Sequence, residues 1–466
     1  MTQAGAFAAP ARHGRRITAV DIAAFAAGVL MILIFSQGWF TALTGGGDQA
    51  KADSGIVRAM YFPAYAAGLG MLAVCAGDAV RAALRQPLLI VLLWVVGASA
   101  IWSIEPDETL RRVVALVLTT VCAVVMAARF NWAALAEVMA TAFAILAVGS
   151  LLAAVLVPSF GIMPTLFPGA WRGLWTEKND LGGNMTLGFI VMVAAAVLQP
   201  RRALLWWPLA GLALLLVLMS TSKTSLVACA LGVCGIALVA LIRRGPAMKV
   251  AATYGAVVSA MLLGMGLLVA SDVFLAFLGK DATLTGRTKI WSAVMTQIQQ
   301  RPWLGYGYAA IWQNESPWAP LAWITKQAGF RAYHSHNSWL EQWLGEGLIG
   351  LVAWAGFFLM TWTRALIALY RDRGAFLAVP FLLVYSMTSL TESIAVVYND
   401  MRWLMFVAIA VKLGFPDQPP ARAPIRRSPS PTLTTSAPPE RARSIRRSRA
   451  SGAQPKGEGV WPTSWV

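Results

Sequence analysis

Apolar runs of about 20 residues recur along the whole of this 466-residue sequence, and each is long enough to cross a bilayer as an α-helix. Inside a bilayer only helices and closed barrels satisfy their own backbone hydrogen bonds. The runs therefore predict an all-α protein, a polytopic membrane bundle of about 12 transmembrane helices. The predicted spans are 17–40, 59–76, 87–103, 111–129, 134–157, 180–198, 203–219, 225–242, 250–271, 338–361, 375–391 and 399–414.

The composition excludes two other common classes of chain. Hydrophobic residues make up 58% of the sequence and charged residues 13%, whereas a soluble domain carries about a quarter charged residues. A disordered chain would be poor in apolar residues. The four cysteines all lie inside apolar runs, which indicates small core residues and not a disulfide or metal framework. The first apolar run is too long for a signal peptide, so we expect an uncleaved anchor.

Positive charge is distributed unevenly between the two sets of predicted loops. One set, which includes Arg81, Arg129 and Arg243, is rich in arginine and almost free of acids. The positive-inside rule assigns this set to the cytoplasm and places both termini there. The opposite, outer face has one large loop, at about 272–337, and loops of that length are often functional.

The same charges divide the chain into three segments. Residues 1–16 are predicted to be a cytoplasmic N-terminal segment, and residues 17–414 the transmembrane catalytic domain. Residues 415–466 combine arginine with Pro, Ser and Ala, so we expect a disordered basic tail. Anionic membrane lipid is the favoured partner of this tail, and nucleic acid is not, because nothing else in the chain suggests a nucleic-acid-binding fold.

Three short segments of the outer face are unusually polar. Residues 104–112 form a charged turn, which is best interpreted as solvated with local charge pairing. Residues 171–184 combine charges, amides and glycines at membrane depth, which favours a lined cavity over a tryptophan belt with a capped helix start. Residues 220–225 place hydroxyls around Lys223, where they suit phosphate oxygens, although for this segment by itself a helix N-cap with a snorkelling lysine is the favoured interpretation.

The large loop ends in two of the only three histidines of the chain, His334 and His336. Histidine is the side chain best matched to proton transfer near neutral pH. A zinc site is the rival interpretation, but zinc needs three or four ligands, and the outer face has no other histidine and no cysteine. We therefore predict general-base chemistry here and no metal.

In their order and spacing, the polar segments resemble the O-antigen ligase and polysaccharide polymerase superfamily. The nearest branch is that of the Wzy-type (ExoQ-like) exopolysaccharide polymerases, and the resemblance covers about residues 95–415. The motifs that carry it are RGLWTEKNDLGGN, STSKTSL, LTGRTKIW, RPWLGYGY and HSHNSWLEQWLGEGLIG.

The resemblance implies an enzyme of the bacterial inner membrane whose large loop is periplasmic. Its substrates would be an undecaprenyl-diphosphate-linked glycan donor and a glycan acceptor, and its partners membrane lipids, a chain-length regulator and a flippase. It implies that neither a metal nor a nucleotide cofactor is needed.

The resemblance also implies roles for individual residues. His336 would be the catalytic histidine and Arg287 would hold the diphosphate, while Lys223 stands where many ligases have arginine. Because lysine cannot grip two oxygens at once, this departure marks either the polymerase branch or a lysine that does not bind phosphate. The further residues expected to bind substrate are Arg172, Lys178, Asn179, His334, Asn337 and Glu341.

The predicted reaction is the transfer of a glycan from lipid diphosphate to a sugar hydroxyl with inversion. The nearest alternative is a ligase of the same mechanism, which would transfer the glycan to lipid A core or to a protein. A lipid-linked glycan transporter is a more distant alternative, because the sequence lacks the internal repeats of many carriers and gathers its polar groups on one face. A membrane scaffold would leave the basic cluster of the outer face unexplained.

Overall fold

The computed structural model describes most of the chain, with several gaps. The described ranges are 18–44, 55–165, 167–269, 286–312 and 316–417. The predicted segment 1–16, nearly all of the predicted tail (from 418 onward) and the part of the large loop at 270–285 lie outside the described residues.

The described residues form seventeen α-helices and no β-strand, apart from one isolated bridge between Ile162 and Trp171. The prediction of an all-α polytopic membrane protein is confirmed. In chain order the helices are α1 (Ala19–Phe35), α2 (Phe40–Thr44), α3 (Gly55–Ala59), α4 (Phe62–Leu84), α5 (Pro87–Ala98), α6 (Pro106–Arg129), α7 (Trp132–Leu156), α8 (Pro158–Gly161), α9 (Lys178–Leu198), α10 (Ala203–Met219), α11 (Lys223–Ile242), α12 (Pro246–Val269), α13 (Arg287–Gln300), α14 (Pro320–Ala328), α15 (Ser338–Arg371), α16 (Ala375–Ser389) and α17 (Met401–Gly414).

Each of the twelve predicted spans contains one of these helices. Within the described residues, 8 helical segments are long and apolar enough to cross a membrane, and α1, α5 and α16 are shorter apolar helices. The last predicted span corresponds to α17, which has 14 residues. Helix α15 continues to Arg371, past the predicted end of its span at residue 361, and the guanidinium of Arg364 donates a hydrogen bond to the carbonyl of Arg85 at the end of α4.

Helix α9 lies at the centre of the bundle and α12 at its periphery. In the most apolar stretch of each helix, 78% of the residues are buried in α9 and 0% in α12. Glycines let the neighbours of α9 approach closely: a Cβ atom on Gly188 would lie 3.0 Å from Phe143 of α7, and one on Gly182 would lie 2.5 Å from Ser225 Oγ of α11. The first turn of α9 is therefore held against the start of α11.

The large loop is fastened to an interruption in α15. Gly347 has a positive φ of 69° inside this helix, a conformation that glycine adopts without steric cost. The interruption frees backbone groups that bond to the loop: the Leu348 N–H donates to the Pro302 carbonyl, and the Gly307 N–H donates to the Gly345 carbonyl, both at 2.8 Å. The loop segment 302–308 is thus bound to the bundle through main-chain atoms.

Three helices begin at the same end of the bundle as this loop, and a polar side chain caps each of them. Ser222, Asn337 and Asp400 accept backbone N–H bonds at the starts of α11, α15 and α17. Such caps satisfy the free N–H groups of a first helical turn. We call this end of the bundle the loop end.

Candidate functional site

A cavity of about 250 Å³ lies at the loop end. The starts of α9, α11, α13 and α17, the turn after α16 and the chain before α15 build its walls. We call it the first cavity. The polar residues of its lining used below are Asn179, Asp180, Ser222, Thr224, Arg287, Arg331, Tyr333, His334, His336, Glu392 and Arg402.

His336 lies in the lining with a constrained backbone and a fixed ring. Its φ is 51°, which is uncommon for a residue with a side chain and is found most often at functional sites. The ring Nδ1 is 2.9 Å from Glu392 Oε2, and 33% of the side chain is exposed. Because an ionised carboxylate only accepts, Nδ1 carries the hydrogen, and Nε2 of the neutral ring is left as an acceptor.

Glu392 joins the histidine to an arginine. Its Oε2 contacts His336, and its Oε1 accepts a hydrogen bond from Arg287 Nη2 at 2.6 Å. Burial alone would raise the pKa of the Glu392 carboxyl, but the hydrogen bond with His336 and the charge of Arg287 outweigh it and lower this pKa from 4.5 to about 2. The carboxylate is therefore ionised at neutral pH, as the assignment of the His336 tautomer requires.

His334 is a neutral neighbour of His336. Burial, reinforced by the charge of His336, lowers the pKa of His334 from 6.5 to about 3. Its Nδ1 accepts the backbone N–H of His336 at 3.3 Å, and the two ring centroids lie 3.9 Å apart. Since Nδ1 accepts, the hydrogen of His334 is on Nε2, which makes this ring a donor at its far side.

Arg402 brings a second arginine to the first cavity. Its Nε lies 3.1 Å from both carboxylate oxygens of Asp400, and its Nη2 lies 2.5 Å from one of them. Asp400 is also the N-cap of α17, so one carboxylate both starts the helix and orients the guanidinium. Asp180, from the first turn of α9, lines the same cavity.

Three predicted residues lie where α9 and α11 begin. Asn179 lines the first cavity and accepts a hydrogen bond from the Ser222 hydroxyl at 2.8 Å. Lys178 places its Nζ 3.7 Å from the centre of the Phe167 ring. Lys223 is exposed and is not part of the lining, although Ser222 and Thr224 on either side of it are.

The other predicted residues bind the protein itself. Arg172 donates to the Phe160 carbonyl at 2.8 Å, outside the first cavity. Asn337 caps α15. Glu341 accepts the hydroxyl of Ser335 at 2.6 Å, next to the histidines. The structure thus brings His336, Arg287, His334 and Asn179 into one cavity. Arg172, Asn337 and Glu341 instead have contacts that position the chain.

One group of side chains has the spacing of metal ligands. Within the described residues, a ligand atom of each of His334, His336 and Glu392 can be chosen such that all lie within 4.8 Å of one another. Three such ligands are enough for a catalytic zinc ion. A metal here would displace the His336–Glu392 hydrogen bond and lie close to Arg287, whose positive charge opposes it. The hydrogen bonds alone account for the arrangement of all three side chains.

Sequence analysis did not select Glu392 or Arg402. Each lies at the end of a short apolar run, 56 and 66 residues beyond His336, with no local motif around it. Ionisable residues at the edge of a span are rare and commonly functional. That rule, applied to the last two spans, would have found both residues.

The cavity places two imidazoles, three guanidinium groups and three carboxyl groups at one end of a membrane-type helical bundle. A family model described as O-antigen ligase matches residues 208–355, a range that includes Lys223, Arg287 and His336. The exopolysaccharide production protein ExoQ of Rhizobium meliloti (strain 1021) is 30% identical over 263 residues, which cover 54% of this chain and 58% of that protein. The alignment thus spans little more than half of the relative. The two matches support an O-antigen ligase or ExoQ-like assignment for this chain, and the resemblance in the sequence is confirmed.

Proposed function

We propose that this protein is a membrane glycosyltransferase that joins undecaprenyl-diphosphate-linked oligosaccharide units into a polysaccharide. The observation that carries the proposal is the bridging carboxylate of Glu392, which contacts Arg287 with one oxygen and His336 with the other inside a single cavity. A base for a hydroxyl and a cation for a diphosphate are thereby held side by side. The similarity to an exopolysaccharide production protein supports polysaccharide as the product class.

The proposed reaction is a single displacement at the anomeric carbon of the donor sugar. The acceptor hydroxyl oxygen forms the new bond to this carbon, and its proton passes to Nε2 of His336. The bond between the anomeric carbon and the diphosphate oxygen breaks, and its electron pair leaves with the lipid diphosphate. The anomeric centre is therefore inverted. A positioned base contributes roughly 10²- to 10⁴-fold to such a reaction.

The arginines act on the leaving group. Negative charge grows on the diphosphate as its bond to the sugar breaks, and fixed cations in a water-poor site stabilise that charge by several kcal/mol. Arg287 uses one N–H for Glu392 and has four others for phosphate oxygens. Arg402 adds charge from the same lining, and Lys178 and Lys223 lie next to the lining residues Asn179 and Ser222 in the sequence.

The location of the reaction follows from the charges of the loops. The loops at the other end of the bundle carry most of the arginines, which is typical of a cytoplasmic face. In the proposed orientation the first cavity therefore faces the periplasm of a bacterial inner membrane, and both termini face the cytoplasm. The diphosphate bond activates the donor already, so no nucleotide is required on that side.

A deletion strain tests the proposal and separates polymerase from ligase. A polymerase mutant should lose all long chains and accumulate lipid-linked single repeat units, which mass analysis of the lipid-linked glycans detects. A ligase mutant should accumulate long lipid-linked chains, which the match to the O-antigen ligase family makes the second candidate. A plasmid-borne copy of the wild-type gene is the control. Unchanged polymer and unchanged lipid-linked glycans in the mutant would contradict both functions.

Chelation separates the proposed mechanism from a metal-dependent one. With the purified protein, transfer should continue at its full rate after dialysis against EDTA. Loss of activity in EDTA that zinc restores would instead assign His334, His336 and Glu392 as metal ligands.

A further inference from the structure

A second cavity, of about 230 Å³, lies on the other side of His334. The two linings share only Tyr333 and His334. The ring of His334 thus forms part of the wall between the cavities, and the ring centroid of His336 is 3.9 Å away from it. A molecule that filled the second cavity up to His334 would end beside the proposed base.

Two buried oxygen atoms belong to residues that line the second cavity and lack hydrogen-bond partners among the described residues. They are Gln342 Oε1 and Glu346 Oε2, and the two residues are 2% and 1% exposed. The amide orientation of Gln342 is set by its Nε2, which donates to the Ala395 carbonyl at 3.3 Å. Buried polar atoms in native proteins are almost always hydrogen-bonded. Both oxygens have almost no accessible surface, so a ligand hydroxyl can bond to them only once these side chains turn towards the cavity, a change that breaks no hydrogen bond of either oxygen.

The second cavity also differs from the first in charge. The first is lined by three arginines and by the carboxyl groups of Glu177, Asp180 and Glu392, whereas the second has Arg112 as its one arginine and the carboxyl groups of Glu341 and Glu346. Arg112 is already engaged, because it donates to the Ala309 carbonyl and forms an ion pair with Glu108 at 3.2 Å. A diphosphate is therefore matched to the first cavity and a ligand without phosphate to the second.

Aromatic rings complete the second lining. Tyr308, Trp312, Tyr333 and Tyr398 all belong to it. Such rings pack against the apolar faces of sugars. The Tyr308 hydroxyl donates to the Val396 carbonyl and the Trp312 Nε1–H donates to Glu341, so these two rings offer a ligand their faces and not their polar atoms. Hydroxyl groups can both donate and accept, so they satisfy an amide oxygen and a carboxyl group in either protonation state.

We infer that the second cavity binds the terminal saccharide of the acceptor glycan and delivers its hydroxyl to His336, with Gln342 and Glu346 as the residues that select it. This inference rests on the proposed function. It assigns donor and acceptor to separate cavities that meet at His334.

Binding measurements on the purified full-length protein test the separation. The acceptor probe is a set of oligosaccharides, free of lipid and phosphate, released from the host strain's own exopolysaccharide. The donor probe is undecaprenyl diphosphate. Gln342→Met should weaken oligosaccharide binding about tenfold, the equivalent of 1.4 kcal/mol, and leave undecaprenyl diphosphate binding unchanged. Arg287→Ala should weaken undecaprenyl diphosphate binding and leave oligosaccharide binding unchanged.

Two further variants guard against a general loss of structure. Gln297→Met removes a buried glutamine that lies outside both cavities and accepts from the Tyr306 hydroxyl at 3.3 Å, and it should change neither binding constant. Val397→Phe fills the second cavity from a partly exposed position. It should abolish oligosaccharide binding and leave undecaprenyl diphosphate binding unchanged. Melting temperatures identify any variant that is unfolded.

The outcomes separate this inference from the proposed function. If the wild type extends lipid-linked units but neither Gln342→Met nor Val397→Phe alters oligosaccharide binding or the KM for the acceptor, the second cavity is not the acceptor site. Equal loss of both probes in folded Val397→Phe would also overturn the separation. If the wild type binds both probes but never joins units, the proposed function fails while the saccharide site stands.

Discussion

Arginines occur at both ends of the bundle, and two at each end show a difference in their contacts. At the end opposite the loop, two exposed guanidinium groups bind the last carbonyls of helices: Arg373 donates to the Val197 carbonyl at 3.0 Å, and Arg364 donates to the Arg85 carbonyl at 2.8 Å. These bonds are solvent-exposed. They satisfy the free carbonyls and the negative dipole end of a helix C-terminus.

At the loop end, Arg287 and Arg402 instead bind carboxylates at the first cavity. The side chain of Arg287 is only 13% exposed and pairs with Glu392, and Arg402 pairs with Asp400. A buried ion pair is a costly way to stabilise a fold. The comparison teaches that the same residue type can end helices at one face and, in the proposed function, supply charge to the reaction site at the other.

The largest effect on chain extension is expected from substitution of His336. His336→Ala should reduce chain extension about 10³-fold, within the range of a general base, because no other group of the described cluster has a free acceptor nitrogen beside Arg287. Immunoblots of membranes should show unchanged protein abundance. Polymer of wild-type length in this variant would eliminate His336 as the base.

A matched pair of arginine substitutions compares the two ends directly. Arg287→Lys should reduce transfer about 10²-fold, since lysine is a point charge that cannot hold Glu392 and two phosphate oxygens at once. Arg243→Lys, at the opposite end, removes a guanidinium that binds the Asp372 carbonyl and should leave the transfer rate of the purified protein unchanged. Equal effects of the two substitutions would remove the distinction between the ends.

Substitution of Glu392, the carboxylate between His336 and Arg287, should have a smaller effect. Glu392→Gln should lower the rate roughly 10- to 100-fold, as the loss of a carboxylate partner of an imidazole does at metal sites. The amide no longer fixes the hydrogen of His336 on Nδ1, so Nε2 is no longer held as the acceptor. Glu392→Asp, which keeps a carboxylate, should recover part of the rate. Equal rates in Glu392→Gln and Glu392→Asp would show that the carboxylate does not position the imidazole.

The loop end should also carry an acid sensitivity. Because the pKa of His334 is about 3 in the folded protein and 6.5 otherwise, the unfolded chain binds a proton first as the pH falls. The stability contributed by neutral His334 is thus complete above pH 6.5 and is lost as the pH falls towards 3. The melting temperature of the purified protein should decrease over this interval by less in His334→Gln than in the wild type. Identical decreases would contradict the assignment.

The smallest effect is expected at an exposed arginine of the opposite end. Arg373→Gln removes one bond to the last turn of α9 and should cost less than about 1 kcal/mol of stability, as exposed charged contacts do. Transfer activity should remain within about twofold of the wild type. A large loss of activity would show that this end is coupled to the reaction.

The helices could be predicted from the sequence because consecutive residues specify each of them. An apolar run specifies a span without reference to the rest of the chain, and all twelve predicted spans contain a helix. The span does not specify the full length of its helix, because apolar content indicates only the part inside the bilayer: α15 continues to Arg371, beyond the predicted span that ends at 361.

The site could be predicted only in part, for the same reason. His336 and Arg287 lie in motifs and were found, and both line the first cavity. Glu392 has no motif, and its importance comes from the folding of α16 back onto the start of α15, which no spacing in the sequence specifies. Arg172 has a motif, but its guanidinium is used on the Phe160 carbonyl nearby.

The attachment of segment 302–308 to the interruption at Gly347 has an evolutionary consequence. Because peptide groups make much of that attachment, only some side chains of the segment are constrained. These are the glycines that its tight backbone contacts require, and Tyr306 and Tyr308, whose buried hydroxyls bond to the carbonyls of Gln297 and Val396. Substitutions at the exposed positions of the segment can therefore accumulate in a lineage while the histidine pair stays in register.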